Sequence, residues 1–150
     1  MKKRVLAVAS GGGHWVQLRR LEAAFAGHDM AYATVHAGSR SDVPANARFY
    51  RIRDATRWDR LGLIVMAWQL LAIVLRERPD VVVSTGAAPG YIALRLGKLL
   101  GARTAWIDSV ANVEEVSLSG RMVGRHADLW LTQWRHLAKD DGPQYRGEVL

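Results

Sequence analysis

Short apolar runs alternate along this chain with segments of helical period. Val5-Leu6-Ala7-Val8-Ala9 is a continuous apolar run of strand length, the pattern of a strand buried on both faces of a parallel sheet. Ser10-Gly11-Gly12-Gly13 breaks it. Helical spacing follows, with Val16, Leu18, Leu21, Ala24 and Phe25 inward and Gln17, Arg19, Arg20 and Glu22 outward. Strands are predicted at Met30–Val35 and, more weakly, at Phe49–Ile52, separated by a polar loop over His36–Ala47. Asp59–Glu77 reads as a long helix that stops at Pro79. Asp80–Ser84 is the clearest strand, because β-branched residues dominate it. A glycine-rich turn over Thr85–Gly90 leads into a helix at Tyr91–Leu100, which Gly101 ends. Arg103–Ile107 is the next strand, Ser119–Gly124 a short helix and Asp128–Leu131 a further strand. Asp141–Leu150 is a loop ending in a short strand.

Strands alternating with helices imply parallel βα units with right-handed crossovers. The expected fold is a single doubly wound, Rossmann-like α/β domain over residues 1–150, whose ligands bind beyond the carboxyl ends of the strands. A length of 150 residues suits one domain. The formal charge of +7, from 21 Lys and Arg against 14 Asp and Glu, favours anionic partners. With no cysteine there is no disulfide framework and no thiolate metal site. Met1-Lys2-Lys3-Arg4 looks like the start of a signal peptide, but Val5–Ala9 is shorter than the ~7–15 apolar residues required. No helix carries the basic stripe of a nucleic-acid groove.

Four constellations carry chemistry. Ser10, Gly11, Gly12, Gly13 and His14 lie between a buried strand and a helix. There the backbone can approach a ligand, and the helix offers free N–H groups to a phosphate or diphosphate. His14 is placed to orient or deprotonate a hydroxyl beside that anion; the plainer reading is a tight turn with His14 as a polar cap. The dinucleotide pattern G-x-G-x-x-G is absent, since Trp15 and Val16 fill its last two places. Thr85 and Gly86 open the second glycine-rich loop, which is either a second wall of the same cleft or simple turn chemistry. Asp108 and Ser109 emerge from another strand end, where Asp108 either accepts a proton or caps the next segment. No histidine shows metal-ligand spacing.

The fourth is the helical segment Asp59–Glu77. Its uninterrupted apolar core, Leu61–Leu75, spans about 22 Å at ~1.5 Å per residue, short of a ~30 Å hydrocarbon layer. It is apolar nearly all round, with Arg57 and Arg60 before it, Arg76 and Arg78 after it, and Trp58 and Trp68 adding amphipathic rings. That composition fits partial insertion into an anionic membrane surface, burial beneath a protein partner, or a well-covered internal helix.

Together these residues resemble a known family. Val8–His14 is similar to the opening strand and loop of GT-B glycosyltransferases related to MurG. More specific are Pro79–Gly86, Trp106–Val113, Ser117-Leu118-Ser119-Gly120-Arg121, Ala127-Asp128, Thr132-Gln133-Trp134 and Tyr145–Leu150. In that order they resemble the accessory subunit of the two-part GlcNAc transferase of the dolichol pathway and its bacterial PssD-type relatives in exopolysaccharide assembly. The resemblance implies the amino-terminal half of a split GT-B enzyme, binding a polyprenyl-diphosphate-linked acceptor. A separate small subunit would supply the UDP-sugar, with no cofactor or metal held by this chain.

Joined to the strand-end loops, this reading expects Ser10, Gly11, Gly12, Gly13, Thr85, Gly86 and Ser109 to bind the acceptor diphosphate, with His14 or Asp108 as the catalytic residue that positions or deprotonates the acceptor hydroxyl. Trp58, Arg60, Trp68, Arg76, Gln133, Trp134, Tyr145 and Leu150 would form a membrane or partner surface. The eukaryotic subunit typically has Glu and Arg where Asp108 and Asn112 stand, and it has an amino-terminal membrane anchor absent here. These departures point to the bacterial branch and to a peripheral position on the cytoplasmic face of the inner membrane. Two other readings stand beside it: a non-catalytic membrane adaptor with a vestigial cleft, and a free-standing nucleotide-sugar-binding module.

Overall fold

A computed structural model describes residues 1–149, and they form one parallel sheet with helices on both faces. The strands are β1 (Arg4–Ala9), β2 (Asp29–Thr34), β3 (Arg48–Arg51), β4 (Val81–Gly86), β5 (Arg103–Ile107), β6 (Leu129–Thr132) and β7 (Gln144–Tyr145). Their order is β3-β2-β1-β4-β5-β6-β7, every neighbouring pair being parallel. The order reverses between β1 and β4, which is where open α/β sheets hold their ligands. The doubly wound α/β fold expected from the alternating pattern is the one observed.

Period two along β1 separates the core into its two faces. Leu6 and Val8 join a cluster with Met66, Leu70, Leu94 and Trp106. Val5, Ala7 and Ala9 join another with Trp15, Leu18, Tyr32 and Ile107. The helices are α1 (Gly13–Arg20), α2 (Arg60–Glu77), α3 (Ala88–Leu99) and α4 (Leu118–Gly124). On α1 the expected phase is wrong at two positions, since Val16 is exposed and Gln17 is buried. A buried glutamine is tolerable because both ends of its amide are hydrogen-bonded, as described below.

Asp59 caps α2, its carboxylate accepting the Gly62 N–H at 2.8 Å. The helix ends in a left-handed residue, Arg78 (φ 43°), whose N–H reaches the Val74 carbonyl at 2.8 Å. Met66, Leu70, Ile73 and Val74 face the core. Leu61, Ile64, Val65, Trp68 and Leu75 form an outer stripe that is also apolar and stands in solvent. Arg48 fixes the far end of α2 to the sheet, bonding Asp29 Oδ1 at 2.9 Å and Glu77 Oε2 at 2.7 Å. Burial works against the Glu77 carboxylate, but bonds from Arg48 and Tyr50 outweigh it and hold its pKa below the ordinary value.

Candidate functional site

The two glycine-rich loops follow the two strands at the switch point and are stitched to each other. Ser10 N–H donates to the Gly86 carbonyl at 3.1 Å. The Thr85 hydroxyl donates to the His14 carbonyl at 2.6 Å, and His14 Nδ1 lies 3.0 Å from the Thr85 carbonyl. A carbonyl only accepts, so Nδ1 carries the hydrogen and the neutral ring keeps its lone pair on Nε2. Gly86 makes this possible: at φ +130°, a Cβ there would sit 2.5 Å from His14 Nδ1. The imidazole lies where any other residue would put a side chain.

Among the described residues, two of the four α-helices begin at this rim, and they are the two α-helices without a side-chain cap. Neither Gly12 before α1 nor Ala87 before α3 supplies an acceptor, whereas Asp59 caps α2 and Ser117 caps α4. The exposed Gly12 and Gly13 leave the α1 end open. Unpaired N–H groups and the positive ends of two helix dipoles therefore converge on one place. Beside them is a cleft of about 160 Å³ lined by His14, Thr85, Gly86, Asn112, Ser117 and Ser119, with Asp108 in its wall.

Asp108 is buried, 1% exposed, and its carboxylate accepts four bonds. Oδ1 takes Trp106 Nε1–H at 3.0 Å and the Ser117 hydroxyl; Oδ2 takes Asn112 Nδ2–H at 3.0 Å and Ser117 N–H at 2.9 Å. A carboxylate has about four lone-pair sites, so none is left for a substrate hydroxyl. The catalytic role expected for Asp108 is corrected to that of a scaffold, which holds the loop into α4 and presents Asn112 and Ser117 to the cleft. Gly120 is required there, because a Cβ would come 2.6 Å from Asp108 Oδ1.

Ser109 is also withdrawn from the ligand. It is buried, its Oγ accepting from Gln17 Nε2 at 3.0 Å and Ala111 N–H at 3.2 Å. Thr85 lines the cleft, but its hydroxyl is spent on His14. The Ser109 and Thr85 hydroxyls are thus engaged within the protein, and the donors the Ser10–His14 loop leaves at the rim are backbone N–H groups around the exposed Gly12 and Gly13.

Gln133 is corrected from surface to core. It is 1% exposed and donates Nε2–H to Gln17 Oε1 at 2.6 Å and to the Asp108 carbonyl at 2.9 Å, while Val149 N–H donates to its Oε1 at 2.7 Å. Gln17 Oε1 also accepts from Val110 N–H at 3.0 Å. The two amides tie α1, the loop after β5 and the tail into one network. Nothing in the hydrophobic period signals Gln17 or Gln133, because period reading places a glutamine outside. Trp134 is half-buried, its indole N–H donating to the Val110 carbonyl at 2.7 Å. Tyr145 is half-buried under Arg135, 5.0 Å from its ring. Trp58, Arg60, Trp68 and Arg76 are exposed as expected, and Arg57 lies 4.7 Å over the Trp58 ring. Leu150 lies outside the described residues. Among the described residues no helix is long and apolar enough to cross a membrane.

Residues 47–149 match the family model described as "Oligosaccharide biosynthesis protein Alg14 like". That match takes in the second glycine loop, Asp108, α4 and Gln133; the Ser10–His14 loop precedes it. Two curated relatives are named UDP-N-acetylglucosamine transferase subunit. The one from Schizosaccharomyces pombe is 34% identical over 89 residues, 54% of this chain and 39% of that protein. The one from Mus musculus is 30% identical over 91 residues, 55% of this chain and 42% of that protein. The alignments thus span about two fifths of each relative, and both relatives are eukaryotic, not from the bacterial branch. Among solved structures, Acinetobacter baumannii MurG superposes on 95% of this chain and 45% of its own, with a TM-score of 0.75 and 11% identity. That likeness is one of fold, and the fold is the GT-B amino-terminal type.

Proposed function

We propose a function from one premise: the chain belongs to the Alg14-like family of oligosaccharide biosynthesis proteins. It acts as the acceptor-binding subunit of a two-component glycosyltransferase in lipid-linked oligosaccharide or polysaccharide synthesis. A separate small subunit binds the UDP-sugar. The names of the relatives support N-acetylglucosamine as the sugar.

The observation that carries this reading is the pair of uncapped helix N-termini opening at one rim beside His14. A polyprenyl diphosphate brings the negative charge that those N–H groups lack. The cleft, at about 160 Å³, is smaller than the ~300–1,000 Å³ typical of small-molecule pockets. It suits the acceptor head group of a half-site and leaves the nucleotide to the partner. His14 Nε2 takes the proton of the acceptor hydroxyl as its oxygen bonds to the sugar's anomeric carbon. The bond from that carbon to the phosphate breaks, and UDP leaves with its electron pair.

The outer stripe of α2, with Trp58 and Trp68 and the arginines at either end, supports a peripheral membrane attachment. Substituting His14→Ala in the reconstituted pair should lower kcat by roughly 100-fold or more. The isolated chain should show no heat of binding with UDP-N-acetylglucosamine. Full activity of His14→Ala would leave a membrane adaptor as the better description, and tight nucleotide-sugar binding by the chain alone would replace both.

A further inference from the structure

At the opposite edge of the sheet, where β1, β4 and β5 begin, lies a cavity of about 680 Å³, some four times the cleft at the glycine loops. Its floor and one wall are apolar, from Val74 and Leu75 of α2 and from Leu100 just beyond α3. Its rim is basic, with Lys3, Arg4, Arg78 and Arg103. Arg4 pairs with Asp80 at 3.6 Å, the one carboxylate lining the cavity. Among the described residues, no acceptor is bonded to the side chains of Lys3, Arg78 or Arg103.

Charge alone at this edge has a trivial explanation, since α2 and α3 both end here and helix C-termini carry partial negative charge. Two helix ends amount to about one elementary charge in all. Four cations against one carboxylate and that charge leave a surplus of about two. The surplus surrounds an apolar slot, and the slot is continuous with the exposed stripe of α2 through Leu75, which is 52% exposed. Leu100, at 53%, lines the same cavity. A free inorganic anion has no use for that slot. A neutral apolar guest has no use for the rim.

We propose that this cavity binds one anionic phospholipid, its phosphodiester held by Arg78, Arg103 and Lys3 and the upper part of an acyl chain lying against Leu75 and Leu100. The volume falls within the range of small-molecule sites. The inference rests on the proposed membrane attachment only for the source of the lipid. Membrane attachment by a single apolar element is weak and reversible, and a second, charge-based contact makes it durable. Here the two contacts adjoin at Leu75 but rest on different side chains, Trp68 on the stripe and Arg78 and Arg103 at the cavity, so they separate experimentally.

The test uses the whole chain in two arms. In the first, dihexanoylphosphatidylglycerol, below its micelle concentration, is titrated while amide shifts are followed by NMR. Shifts centred on Leu75, Arg78, Leu100 and Arg103 are expected. Arg78→Gln/Arg103→Gln should weaken binding about 25-fold, at about fivefold per arginine. Equal binding of dihexanoylphosphatidylcholine, binding of inorganic phosphate at the same residues with equal affinity, or no shifts there would each overturn the proposal. In the second arm, flotation compares phosphatidylcholine vesicles with vesicles containing phosphatidylglycerol. The double variant should lose most of the preference for anionic vesicles, and Trp68→Ser should weaken binding to both kinds. Wild-type binding to neither vesicle, with the soluble lipid still bound, would remove the membrane reading and leave the lipid site. Wild-type preference retained in full by the double variant would do the reverse. Both variants change exposed side chains, and an unchanged melting temperature checks that they fold.

Discussion

Replacing Asp108 with asparagine separates a scaffold from a catalyst at the centre of the site. The carboxylate faces donors on both oxygens, and an amide can accept on only one side. The better orientation keeps the carbonyl toward Asn112 and the Ser117 N–H. The new NH2 then faces Ser117 Oγ, which can turn to accept, and Trp106 Nε1–H, which cannot. Trp106 is 1% exposed, so its N–H is left without water. An orphaned buried donor costs about 1–3 kcal/mol, and the three bonds that remain lose their charge assistance. The sum is about 3 kcal/mol. For a 150-residue domain that corresponds to a fall in Tm of roughly 10 °C. Urea unfolding of the isolated chain, followed by tryptophan fluorescence, measures the loss without any partner. If Asp108→Asn kept its stability within about 0.5 kcal/mol while kcat of the reconstituted pair collapsed, Asp108 would be the base and the scaffold assignment would be wrong.

Three further outcomes follow from contacts elsewhere. Arg48→Met strips the countercharge from buried Glu77; because Arg48 and Asp29 are each at least one-third exposed, the expected loss at pH 7 is about 2 kcal/mol, below the full value for a buried pair. Glu77 and Asp29 both have depressed pKa values, so the stabilisation holds above the ordinary carboxylate range and disappears as pH falls through their folded values. Unfolding curves of wild type and Arg48→Met should therefore converge in acid, and parallel curves down to pH 3 would contradict the pairing. Gln133→Leu breaks three bonds and should cost about 2–3 kcal/mol, with amide exchange at Val149 and Val110 accelerating together; acceleration at one alone would deny that the tail and loop are linked. Gly86→Ala forces a Cβ against His14 and should cut activity of the pair at least tenfold, comparably to His14→Ala, whereas wild-type activity would show that the ring need not lie there.

The sheet was legible because its strands announce themselves. Val5–Ala9 and the β-branched run Val81–Val83 are too short and too apolar for anything but central strands, and glycines follow both. The meeting of the two glycine loops was legible for the same reason, since both follow strand ends on one side of the sheet. Less of the site's chemistry could be read. Asp108, Ser109 and Gln133 have the composition of ligands, yet each is consumed by protein partners: Asp108 by neighbours within 9 positions, Ser109 and Gln133 by Gln17, 92 and 116 positions away. Gln17 was misplaced on α1 because its burial depends on Gln133, 116 positions later. Periodicity reports which face a residue prefers alone; it is silent on a polar group whose partners arrive by tertiary folding. The capping serine Ser117, three residues before Gly120, had a local signature, and its link to Asp108 did not.

The six tryptophans divide by surroundings in a way that gives each event its own optical signal. Trp58, just before α2, and Trp68, on α2, project into water at 79% and 67% exposure, while Trp15 and Trp106 are enclosed and Trp130 and Trp134 are half-covered. Emission from the outer pair should shift to the blue when lipid covers α2, with no change in the fold. Emission from Trp106 answers to the state of its indole hydrogen bond and stays constant during that adsorption. Native fluorescence therefore distinguishes surface adsorption from opening of the Asp108 loop in one cuvette, with no label attached.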